Sequence, residues 1–163
     1  MVVKKSNMRK EIITNSTEET KMAAQTFASG LNQGDILALT GNLGSGKTCY
    51  AKGIIEELTG SKDNFQGSPT FALIQEYIPC KAGKTIPVFH FDFYRVKHAD
   101  ELYQIGFNEY IFSETGVCVI EWADLFPEVL PTNTQWIKFL STEENQRKIR
   151  WEGGKAGKLK VRK

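Results

Sequence analysis

The stretch Gly41-Asn42-Leu43-Gly44-Ser45-Gly46-Lys47-Thr48 satisfies the phosphate-loop pattern G-x-x-x-x-G-K-[ST] at every fixed position. An apolar run over residues 36–40 precedes it and reads as a buried strand. After it, Ala51, Ile54, Ile55 and Leu58 recur at helical spacing, and Gly60 supplies a left-handed stop. Strand, glycine loop and helix in that order are the context in which the pattern has physical meaning. Glycines let backbone N–H groups crowd around phosphate oxygens, and the helix N-terminus adds partial positive charge. Lys47 supplies a point charge for the β- and γ-phosphates, and Thr48 a hydroxyl for Mg²⁺. The expected cradle runs through Asn42, Leu43, Gly44, Ser45, Gly46, Lys47, Thr48 and Cys49.

Outward from the loop, Ser16 and Glu19 form a capping box, and Ala23, Ala24, Phe27, Ala28 and Leu31 share one stripe, predicting a helix over 17–31. Strands are expected at 11–14, 71–78, 86–91, 117–120, 135–140 and 147–151, with 71–78 and 86–91 forming an antiparallel hairpin. Short helices are expected at 98–105, closed by Gly106, and at 107–112. Interleaved strands and helices around a phosphate loop imply a three-layer α/β domain of the P-loop NTPase type with a mixed, largely parallel sheet.

With 163 residues, 40% of them hydrophobic, the chain suits one domain with a real core, with flexible tails over 1–10 and 152–163. A net charge of +2 gives no sign of a dedicated nucleic-acid binder. Cys49, Cys80 and Cys118 are odd in number and lack metal spacing, so they read as reduced thiols without a disulfide or zinc site. No apolar run approaches membrane-spanning length, and the expectation is a cytoplasmic protein with no membrane partner.

Hydrolysis or transfer needs acids as well as a loop. Asp92 and Glu121 each follow an apolar strand, at the strand ends where ligands of open α/β sheets bind. His90 shares the Asp92 side of its strand, where a structural and a catalytic histidine both fit. Ser68, Pro69 and Thr70 suit either a switch loop sensing the γ-phosphate or an ordinary strand-entry turn. Tyr94 and Arg95 follow Asp92, where the arginine reaches phosphate, an acid or a partner, or lies on the surface. Trp122 either shelters the site or packs on the sheet edge.

Assembled, four blocks resemble the TsaE (YjeE) family of small bacterial P-loop ATPases: GNLGSGKT at 41–48, SPTF at 68–71, HFDFYR at 90–95 and IEW at 120–122. Gly106 matches a further family glycine, and the resemblance spans residues 16–150. It implies an Mg²⁺-dependent ATPase needed for N6-threonylcarbamoyladenosine at position 37 of tRNA. By that resemblance the protein acts on the TsaD and TsaB pair, which performs the transfer, and meets tRNA only through it. It further implies Lys47 on the phosphates, Thr48 and Glu121 on Mg²⁺, and Asp92 near the γ-phosphate or attacking water. The resemblance also implies Trp122 beside the nucleotide and a base pocket near Thr17 and Arg147. The departures are Asn42 where the family commonly has Asp and Ser45 where Ala is usual.

The rival readings are a small-molecule kinase, for which no arginine cluster or lid insertion is evident, and a nucleotide-sensing interaction module with negligible hydrolysis. A GTPase is disfavoured because no N-K-x-D motif occurs.

Overall fold

The computed structural model describes residues 10–80, 82–83 and 85–153. In chain order the elements are β1 (Lys10–Thr14), α1 (Thr17–Ala28), β2 (Ile36–Thr40), α2 (Lys47–Thr59), β3 (Ile74–Tyr77) and β4 (Val88–Asp92). They continue with α3 (Ala99–Gln104), α4 (Phe107–Phe112), β5 (Val117–Glu121), two 3₁₀ turns, β6 (Gln135–Glu143) and β7 (Gln146–Glu152).

The strands make one seven-stranded sheet in the order β1-β7-β6-β2-β5-β4-β3. Its centre is parallel: β2 pairs with β5 and β6, and β5 pairs with β4. Both flanks are antiparallel, β3 against β4 on one side and β6, β7 and β1 on the other. The mixed sheet and the β3–β4 pairing thus match expectation. The link between them crosses residues 81 and 84, which lie outside the described residues.

Strand alternation sends side chains to two separate cores. Leu37, Leu39, Val117, Val119, Ile137 and Phe139 pack with α1 and α2 on one face. Ala38, Phe89, Phe91, Cys118 and Ile120 pack with Phe107, Ile111 and Leu102 of α4 and α3 on the other. Every residue of β2 from Ile36 to Leu39 is buried, as is all of β4 and β5, because a central strand is covered on both faces. On the first face the helices interlock at Gly53, where an added Cβ would lie 2.6 Å from the Lys21 carbonyl oxygen and 2.7 Å from Ala24 Cβ.

Several boundaries differ from the sequence expectation. Helix α1 stops at Ala28 rather than residue 31: Gly30 and Leu31 turn back onto the Phe27 and Ala28 carbonyls, so Leu31 stays buried outside the helix. Glu19 completes the cap one residue upstream of the expected place, accepting from the Asn15 N–H at 2.7 Å while Ser16 Oγ accepts from Glu19 N at 3.0 Å. Strand β3 starts at Ile74, not residue 71, because Leu73 N–H donates to the Pro69 carbonyl at 2.8 Å and Leu73 takes φ 66°. Asp92 and Glu121 are the last residues of their strands rather than the first beyond them. The expected tails over 1–10 and 152–163 fall outside the described residues except at Lys10, Glu152 and Gly153. Lys10 and Glu152 are paired strand residues, which moves both tail boundaries outward.

Candidate active site

The site forms where β2, β4 and β5 end together. Strand β2 delivers the loop, which turns through left-handed glycines: Gly44 has φ 74° and Gly46, the residue before α2, has φ 108°. Only glycine adopts such values at no steric cost, and the result is a nest of N–H groups at the helix mouth. At Gly46 a Cβ would also lie 2.7 Å from Arg147 Cδ, and at Gly41 it would lie 2.6 Å from the Phe139 carbonyl oxygen. Around Gly44 nothing lies within 4 Å of such a Cβ, so that side of the loop is open.

Lys47 is almost fully buried, and its ammonium donates to the carbonyls of Gly41 at 2.6 Å and Asn42 at 2.9 Å. It also sits 4.1 Å from the ring centroid of Trp122. Burial lowers its pKa below the usual lysine value, although Glu121, Asp124 and Asp92 pull the other way. The charge is therefore held in place by loop carbonyls, which it can exchange for phosphate oxygens.

The parallel register of β4 and β5 sets Asp92 beside Glu121. Thr48 Oγ1 donates to Glu121 Oε1 at 2.6 Å. The other oxygen, Oε2, lies 2.7 Å from His90 Nε2 and 2.7 Å from Ser68 Oγ. Ser68 Oγ also contacts Asp92 Oδ2, which accepts from Thr70 Oγ1 at 2.9 Å, while Asp92 Oδ1 accepts from the Tyr94 N–H at 2.8 Å. Burial pushes the Glu121 carboxyl up, but hydrogen bonding and charge from His90, with the hydroxyls of Thr48 and Ser68, outweigh it and hold the group below its ordinary value.

These groups face a cavity of about 350 Å³. It is lined by residues 43–49 of the loop and first helical turn, by Ser68, Thr70, Asp92 and Glu121, and by Tyr94, Trp122 and Arg147. Trp122, with φ 58°, leans on Tyr94 with ring centroids 4.9 Å apart. Five expected residues stand back from the cavity. His90 is fully buried behind Glu121, Arg95 lies 4.0 Å from the Phe71 ring centroid, and Pro69 and Asn42 act through their carbonyls. Thr17 also stays outside the lining, although its carbonyl accepts from Cys49 Sγ at 3.1 Å, which brings the α1 start against the loop helix.

Sequence reasoning missed Phe65, whose ring stacks on both His90 and Tyr77 with centroids 6.1 Å apart in each pair. It also missed Phe139, which underlies Gly41 and packs edge-on against Tyr50. Both contacts join residues far apart in the chain, and no local pattern announces them.

The donor set suits a hard cation, since the groups that meet here are hydroxyl and carboxylate oxygens. Among the described residues no cluster of three or more His, Cys, Asp or Glu could hold a metal ion. The nucleotide fits as well: Arg147 lines the cavity, and its buried Nε lacks a partner among the described residues. No described helix is long and apolar enough to cross a membrane.

Residues 14–149 match the family model described as "Threonylcarbamoyl adenosine biosynthesis protein TsaE". The chain is 38% identical over 136 residues to the tRNA threonylcarbamoyladenosine biosynthesis protein TsaE of Bacillus subtilis, covering 83% of this chain and 80% of that protein. It is 31% identical over 137 residues to the TsaE of Treponema pallidum, covering 84% and 96% of the two. The crystal structure of Bacillus subtilis YdiB superposes with a TM-score of 0.72 at 33% identity, covering 91% of this chain and 89% of that one. Phosphate loop, paired strand-end acids and these likenesses along most of its length agree, and the chain belongs to the TsaE family of threonylcarbamoyladenosine biosynthesis proteins.

Proposed function

We propose that this protein is a Mg²⁺-dependent ATPase that supports tRNA threonylcarbamoyladenosine formation by acting on a TsaD and TsaB pair, rather than by transferring the group itself. One observation carries the enzymatic part: Thr48, at the start of α2, is hydrogen-bonded at 2.6 Å to Glu121, which is the register partner of Asp92. A phosphate cradle and two acids therefore open into one cavity, as phosphoryl chemistry requires.

Loop amides and Lys47 bind and orient the phosphates, with the lysine charge already poised at Gly41 and Asn42. Thr48 and Glu121 would hold Mg²⁺, which when bound neutralises charge developing on the phosphate oxygens. Asp92, which accepts from Thr70 and the Tyr94 N–H, would in turn accept a hydrogen bond from an attacking water. Trp122 and Tyr94 wall the cavity and restrict water. Slow hydrolysis alone and faster hydrolysis with a partner fit a site whose Ser68 and Thr70 sit on a loop rather than on a rigid element.

The test is nucleotide titration with phosphate release on wild type, Lys47→Ala and Glu121→Ala. Lys47→Ala is expected to lose phosphate affinity, and Glu121→Ala to retain binding but lose Mg²⁺-dependent turnover. Unchanged turnover in Glu121→Ala would remove that acid from the mechanism. Reconstituted tRNA modification with this protein omitted, and ATP turnover with and without TsaD and TsaB, test the partner role. Equal turnover in both cases would refute partner activation.

A further inference from the structure

His90 is fully buried, yet it belongs to neither the phosphate cradle nor the cavity wall. Its Nε2 lies 2.7 Å from Glu121 Oε2, its ring lies against Phe65, and its Nδ1 has no partner among the described residues. An imidazole with one satisfied nitrogen, in a place with no water contact, is a costly occupant for a β-strand. An apolar residue would fill the space without leaving Nδ1 unpaired, so packing alone does not account for histidine here.

The Glu121 carboxylate explains it. With Oε2 tied to His90, the rotation of the carboxyl group is fixed and Oε1 is the oxygen that meets Thr48 Oγ1, at 2.6 Å. Without that tie, Oε2 keeps only Ser68, and Ser68 is also in contact with Asp92. One hydroxyl proton cannot serve both carboxylates at once, so Ser68 is a divided anchor and His90 an undivided one.

Resting on the reading that Glu121 serves the divalent ion, we propose that His90 is a positioning residue that orients the Glu121 carboxylate toward Thr48. Its ring is in turn steadied by Phe65, from the segment leading to Ser68. Losing a partner that orients a metal ligand typically costs about 10- to 100-fold in metal affinity.

The experiment compares His90→Gln, His90→Asn and His90→Phe by titrating a fluorescent ATP analogue with and without magnesium, with circular dichroism and thermal melts as the fold check. Glutamine carries an N–H donor the same number of bonds from the backbone as Nε2, asparagine carries the same amide one bond short, and phenylalanine keeps the ring without a donor. The magnesium concentration needed for half-maximal tight binding should rise about 10- to 100-fold in the asparagine and phenylalanine variants, and far less in the glutamine variant. Binding in chelator should stay close to that of wild type in all three. Should the phenylalanine variant fail to fold, the glutamine and asparagine pair carries the comparison by itself. A folded phenylalanine or asparagine variant with the wild-type magnesium requirement overturns the proposal, as does equal impairment of glutamine and asparagine. Wild type that binds the analogue with no dependence on magnesium overturns the parent reading of Glu121 as well, which separates the two failures.

Discussion

Asp92 and Glu121 are register partners on adjacent parallel strands, and the hydroxyl of Ser68 touches both carboxylates. Two acids this close repel one another unless hydrogen bonds or a cation stand between them. Ser68→Ala removes the shared donor and leaves buried acceptors facing each other. Urea unfolding without magnesium should show a loss on the order of 1–3 kcal/mol, partly recovered on adding Mg²⁺ with nucleotide. An unchanged midpoint would show that the hydroxyl contributes nothing there.

The acid limb of stability carries the Glu121 signature. Its carboxyl is held below the ordinary 4.5 in the folded state, so below that pH the unfolded chain binds the extra proton first. The stabilisation is complete above about pH 4.5 and fades as pH falls through the lowered folded value. Glu121→Gln should therefore flatten the fall in melting temperature as pH drops below about 4.5 relative to wild type, as read by scanning calorimetry at each pH.

Two loop glycines should respond differently to alanine. Both hold left-handed φ, which costs a side-chain-bearing residue about 1–2 kcal/mol. Gly44 has open space around it, whereas a Cβ at Gly46 meets Arg147 Cδ and Nε at 2.7 and 2.8 Å. Gly46→Ala should lower the melting temperature further than Gly44→Ala and weaken ATP binding at least about tenfold by displacing Arg147. Equal losses in the two variants would show that the Arg147 contact has no weight.

Gly53→Ala tests whether helix propensity or packing decides. Alanine gains up to about 1 kcal/mol in a helix interior, but overpacking costs about 1–3 kcal/mol, and here the near contact is the Lys21 carbonyl, which cannot step aside. Net destabilisation is expected in chemical unfolding. A stabilised variant would mean that α1 yields easily.

The three thiols should differ in reactivity toward an aromatic disulfide reagent at pH 8. Cys80 is exposed and should react first. Cys118 is buried, and burial pushes its pKa up to about 12, so it should stay silent until the protein unfolds. Cys49 lines the cavity with its pKa also raised by burial, so it should react slowly and more slowly still with ATP present. Counting labelled sites by mass spectrometry checks all three.

The phosphate loop and both acids were legible in the sequence for a chemical reason. Phosphate binding imposes glycines and a lysine at consecutive positions, and an acid closing an apolar run is visible without any tertiary knowledge. The end of α1 was harder to read, because Leu31 continues the apolar stripe while lying in a turn, and periodicity reports burial rather than hydrogen bonding. The start of β3 was obscured likewise, since Leu73 adopts a left-handed backbone that its side chain does not advertise. A structural histidine at position 90 was among the readings, but its partners were out of reach, because they lie 31 residues away at Glu121 and at Phe65 in the preceding loop.

Because Gly53 lets α1 and α2 mesh closely, α2 is held against α1 along one side. Residues 61–73, by contrast, have neither helix nor strand, and within them Phe71 is left 81% exposed. The helix that begins at Lys47 is thus braced by α1, whereas the stretch holding Ser68, Thr70 and Phe71 has no ladder of its own, so thermal loosening of the fold should begin there.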